Sequence, residues 1–150
     1  KTRKWHRLTR AWVQHLAACA TGLQMSTALV ASDDTLLLAP LEAKHANDIL
    51  INLLMAWKSG MDGPLPIAVK TAFAWLAHTD SAKADAAAQK AYEGDGQTSE
   101  GERRESAALA RQFPDYAALM ASGEFTDWCD ALYRPLFDAP WRSLSSEAAC

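Results

Sequence analysis

The chain reads as an α+β protein, predominantly helical with one short β-hairpin. Two observations predict this. Apolar residues recur at three- and four-residue steps through most of the sequence, the period of amphipathic helices. Two short apolar runs, Thr27 to Ala31 and Thr35 to Ala39, flank Ser32-Asp33-Asp34, a pattern that predicts a hairpin with the Asp pair in its turn.

The elements follow in order. Trp5, Leu8, Trp12, Leu16, Cys19 and Leu23 share one face of a helix ending near Gly22, leaving His6, Arg7, Arg10 and Gln14 on a basic outer side. After the hairpin, Pro40 closes the second strand. A helix from about Glu42 to Ser59 places Ala46, Ile49, Leu50, Leu53, Leu54 and Trp57 on its apolar stripe. Gly60 and Asp62-Gly63-Pro64 stop it, and Pro64 and Pro66 hold the chain extended. A short helix from Thr71 to Ala77 buries Ala72, Trp75 and Leu76. Asp80 caps an alanine-rich helix from Ser81 to Tyr92. A polar loop, Gly94 to Thr98, precedes a capping box at Ser99 to Glu102 and a helix reaching Phe113. One or two turns at Ala117 to Ser122 and a helix from Glu124 to Tyr133, stopped by Pro135, complete the pattern. Trp141 orders the tail.

Composition bounds the possibilities. The 150 residues are 49% apolar and include six tryptophans, enough for a sizeable core in one domain, residues 1–150. The first ten residues carry five Lys/Arg and no acid, so with a net charge of −3 the remaining 140 residues carry −8. An acidic body restricts any nucleic-acid contact to a local patch. Cys19, Cys129 and Cys150 form no C-x-x-C pair or disulfide framework, which fits a reducing cytoplasm. No apolar run reaches membrane-spanning length. The chain begins at Lys1 and reads as a piece of something longer.

Several residues invite a chemical reading. Glu42-Ala43-Lys44 after Asp33 or Asp34 imitates a divalent-metal nuclease core, in which acids hold the ion and the lysine steadies the attacking water. Against this, Glu42 and Lys44 fall in the first turn of a helix, and the Asp pair is explained by its turn. His15 and Cys19 stand one helical turn apart and could hold a metal, but no second pair lies nearby. A packed histidine beside a buried thiol is the simpler reading. His45 and His78 are unpartnered. Gly94, Gly96 and Gly101 lie among Glu93, Asp95, Glu100 and Glu102, which repel phosphate, and no G-K-[ST] ending follows. The basic start pairs cations with Trp5 and Trp12, the combination used for single strands, although from sequence alone a solvated helix face is the better explanation.

The order and spacing of RAWVQHLAACATG (Arg10 to Gly22), LLLAPLEAKHANDILINLLMAWKSGMDGPLPIAVKTAFAWL (Leu36 to Leu76), KAYEGDGQTSEGERRESAALARQFP (Lys90 to Pro114) and F-x-x-W-x-x-A-L-Y-x-P-L (Phe125 to Leu136) resembles the C-terminal part of the RecC-type gamma subunit of exodeoxyribonuclease V, the RecBCD helicase–nuclease. The resemblance covers nearly the whole chain and contains no catalytic motif. It implies a cytoplasmic, non-catalytic scaffold without cofactor. Such a subunit holds the beta and alpha subunits, splits duplex DNA and guides one strand through channels where Chi is read. The fold it implies is the later part of a degenerate PD-(D/E)XK nuclease-like domain. In that setting Arg3, Lys4, Arg7 and Arg10 are expected to face DNA, and Leu136, Phe137 and Trp141 a partner subunit. Two alternatives stand beside it: an active nuclease using Asp33 or Asp34, Glu42 and Lys44, and a stand-alone helical interaction module.

Overall fold

A computed structural model of the chain describes residues 5–30, 35–97 and 99–144; the predicted turn at Ser32-Asp33-Asp34 lies outside them. A 3-10 turn at Trp5–Arg7 leads into α1 (Thr9–Ala20), which buries Trp12, His15, Leu16 and Cys19. The predicted stripe holds, except that Leu23 lies beyond the helix end and is exposed.

β1 (Thr27–Val30) and β2 (Thr35–Leu38) pair antiparallel, with Thr27 opposite Leu38. A third strand, β3 (Trp141–Ser143), pairs antiparallel along the other edge of β2, with Trp141 opposite Leu38. Three residues are too few for a strand period to register, so only the tertiary pairing reveals β3. The Trp141 indole N–H donates to the Leu136 carbonyl at 3.2 Å, which satisfies its polar atom in the interior.

α2 (Ala43–Asp62) runs through Gly60 to the Gly63-Pro64 stop, three residues further than expected. A Cβ at Gly60 would meet only the Leu65 side chain at ordinary contact distance, so nothing there breaks the helix. The inward side of α2 is Ala46, Ile49 and Ala56, with Leu50 and Leu53 partly buried. α2 packs against α1 and against the segment around Cys129–Tyr133. Leu54 and Trp57, expected on this stripe, instead face solvent. α2 carries more apolar residues than one face holds, and the core takes the smaller set.

α3 (Val69–Leu76) packs against α4 (Ser81–Glu93), whose first turn is capped as expected by Asp80, accepting from the Lys83 N–H at 2.9 Å. Phe73 of α3 joins Trp5, Tyr133 and Phe137 in an aromatic cluster with ring centroids 5.0–6.5 Å apart. Trp75 meets Phe125 edge to face at 6.4 Å.

The helix expected from Ser99 to Phe113 is broken. α5 (Glu102–Glu105) and α6 (Ala107–Gln112) meet at Ser106, which is extended (φ −130, ψ 106) and caps α6 through the Leu109 N–H. The predicted capping box does not form, because the Glu102 carboxylate is used elsewhere. It accepts the Lys70 N–H at 3.0 Å, the Thr71 N–H at 2.8 Å and the Thr71 hydroxyl at 2.9 Å. These are first-turn donors of α3, whose own N-cap residue, Ala68, has no side chain able to reach them.

α5 enters from Gly101 (φ +75), whose backbone lies against the end of α4. A Cβ there would come within 2.4 Å of Tyr92, Glu93 and Gly94 backbone atoms. α7 (Tyr116–Met120) is capped by Asp115, and α8 (Glu124–Trp128) widens into a π turn at Cys129–Tyr133 before α9 (Arg134–Phe137). Pro135 therefore does not stop the helix. It sits in the first turn of α9, just past the π turn, where a missing N–H costs little.

His15 is fully buried between α1 and β1. Its Nδ1 is 2.9 Å from the Thr27 hydroxyl and its Nε2 is 3.5 Å from the Cys19 sulfur, which also accepts the Leu41 N–H at 3.4 Å. Burial lowers the His15 pKa below the ordinary 6.5, opposed by a hydrogen bond to the Ala39 backbone. Partial burial lowers His6 as well, helped by Lys70 and Arg7.

Three outcomes are expected in urea unfolding. Glu102→Gln should cost about 1.5–3 kcal/mol, the range for hydrogen bonds to a charged group. Glu105→Gln, which loses only the exposed ion pair with Lys70, should cost under about 1 kcal/mol; equal losses would remove the capping role from Glu102. Gly101→Ala should destabilise well beyond Gly96→Ala, where nothing lies within 4 Å and only the left-handed backbone, about 1–2 kcal/mol, is at issue. Stability should be full above the unfolded histidine pKa of 6.5 and fall below it, because the unfolded chain takes up protons that folded His15 and His6 resist. Comparing unfolding at about pH 7.5 and about pH 5.5 reads that slope; His15→Gln should flatten it, leaving the part due to His6.

Candidate subunit and nucleic-acid interfaces

The outward face of α2 is the most conspicuous exposed feature. Ile51, Leu54, Met55, Trp57 and Met61 are all exposed, Trp57 by 67% and Met61 by 71%. At helical spacing these five fall within one side of the helix, with half-buried Leu50 and the charged Lys58 and Asp62 among them. The stripe runs about 15 Å along the helix at 1.5 Å per residue. Contiguous exposed apolar side chains of this kind mark interaction surfaces, whereas single ones do not. The sequence reading missed this surface because it assigned Leu54 and Trp57 to the core. Ile51, Met55 and Met61, apolar positions left off the inward stripe, were the signal.

The basic start is only partly placed. Arg7 and Arg10 are exposed and one helical turn apart, whereas Arg3 and Lys4 lie outside the described residues. The two tryptophans paired with them in the sequence reading do not serve as stacking platforms. Trp5 stacks on Phe73 and Phe137, and Trp12 is only 2% exposed. What remains at the surface is charge without an aromatic face.

Of Leu136, Phe137 and Trp141, expected to face a partner, the first and last are buried and Phe137 is partly buried. Leu136 is 1% and Trp141 8% exposed, and Phe137 is half-buried in the aromatic cluster. The correction has a plain cause. The π turn and β3 fold the C-terminal segment back onto β2 and α3, so its apolar residues fill the core.

The nuclease-like residues do not assemble in the described part of the chain. Glu42 is an exposed N-cap of α2 whose side chain caps nothing, and the Lys44 ammonium lies 3.4 Å from Asp48 on the solvent side of the same helix. Glu42 therefore precedes the helix and Lys44 lies in its first turn; Asp33 and Asp34 lie outside the described residues. Among the described residues, no group of three or more His, Cys, Asp or Glu side chains converges to hold an ion. His15 and Cys19 are a packed pair with both ring nitrogens and the sulfur engaged, and His45 and His78 are exposed.

Two amides of the Gly94 to Gly101 loop are engaged within the loop itself. Asp95 accepts the Gln97 and Ser99 N–H groups at 3.1 and 2.9 Å, so these donors are not offered to a phosphate. Burial pushes the Cys129 thiol up to about 12, with Asp130 adding to the shift, so it stays protonated and unreactive at neutral pH. A shallow groove of about 480 Å³ lies between the Pro64–Val69 segment and α5–α6, floored by Leu65, Ile67, Leu109 and Phe113. No helix of the described residues is long and apolar enough to cross a membrane.

A family model, the RecC C-terminal domain, matches residues 1–80, more than half of the chain. No curated protein matches it. The matched stretch takes in α1, the hairpin, the whole of α2 with its exposed apolar arc, and α3. The chain thus belongs to the RecC C-terminal domain family, that of the gamma subunit of the exodeoxyribonuclease V complex.

Proposed function

We propose that this chain is a non-catalytic part of the gamma subunit of an ATP-dependent exodeoxyribonuclease V, contributing contact surface rather than bond-breaking to double-strand-break repair. The observation that carries the reading is the exposed apolar arc of α2 in a family whose members belong to a multi-subunit enzyme. Ile51, Leu54, Met55, Trp57 and Met61 supply the aromatic and methionine side chains that protein interfaces favour. In this reading the arc is a seat for the beta or alpha subunit, and Arg7 and Arg10 lie toward the DNA path.

Other parts of the reading agree with it. The helix–hairpin–helix order of α1, β1–β2 and α2 fits the later portion of a PD-(D/E)XK nuclease-like domain whose ligands are gone. Glu42 and Lys44 at the start of a helix, with Lys44 paired to Asp48, suit that loss. The buried core draws on residues from Leu8 to Trp141, which supports treating residues 1–150 as one domain of a longer cytoplasmic subunit. Duplex splitting and Chi recognition belong to the whole subunit in this reading.

The test uses the complete gamma subunit carrying Leu54→Asp and Trp57→Asp. Both sites are exposed, so folding should be preserved while co-purification with the beta and alpha subunits weakens. Loss of two interface anchors should cost about 2 kcal/mol or more, roughly thirtyfold in affinity. Assembly indistinguishable from the unaltered subunit would sink the assignment of this face. In the same reconstituted enzyme, Glu42→Ala should leave magnesium-dependent cleavage unchanged; a collapse in cleavage with assembly intact would favour the nuclease alternative. Arg7→Glu with Arg10→Glu should weaken DNA binding and flatten its salt dependence by about two charges.

A further inference from the structure

We draw no further inference here: the strongest candidate, the apolar-floored groove between the Pro64–Val69 segment and α5–α6 with Glu102 and Glu105 at its rim, has nothing in the structure to show what fills it, and both carboxylates are already engaged by Lys70 and Thr71.

Discussion

The carboxylate of Glu102 on the first turn of α3 is the contact on which much of the architecture depends. α3 is packed by α4, by the π turn, by α9 and by the Trp5–Arg7 turn, and it buries Thr71, Ala72, Phe73 and Leu76. A helix held on so many sides cannot leave its first N–H groups to water, and Ala68 offers them no partner. Glu102 arrives from 31 residues away and satisfies two amides and a hydroxyl at once. Its negative charge also suits the positive end of the helix. The same contact dictates the local form of the later chain. Gly101 must lie against the end of α4 to bring Glu102 inward, and the chain must bend at Ser106 to continue as α6.

The consequence for function is a division of labour among the apolar residues. The C-terminal segment, whose Leu136, Phe137 and Trp141 the family resemblance suggested as partner-facing, packs inward through β3 and the aromatic cluster. Part of the middle of α2, which looks like core, remains outside. The predicted stripe of α2 therefore holds at Ala46, Ile49, Leu50 and Leu53 and fails at Leu54 and Trp57, which join Ile51, Met55 and Met61 at the surface. Arg7 and Arg10 remain exposed, while Trp12 is buried and Trp5 packs partly buried on Phe73 and Phe137. Among the described residues, no three His, Cys, Asp or Glu side chains gather to hold an ion, and several of the carboxylates are engaged in capping.

The sequence by itself determined the helix-dominant class, the two strands of the hairpin, the face of α1, the Asp80 cap and the order of elements that carries the family resemblance. These are local properties, set by apolar periodicity and by side chains that reach only a few residues along the chain. Tertiary structure alone decided the rest. It chose which arc of α2 is buried, because a helix apolar over more than half its circumference has no preferred inward side until a neighbour arrives. It also took Glu102 away from its local capping box, carried the helix past Pro135 on a π turn, and made a strand of Trp141–Ser143. Each of those outcomes depends on a partner more than 20 residues distant or on a backbone widening that no short sequence period encodes.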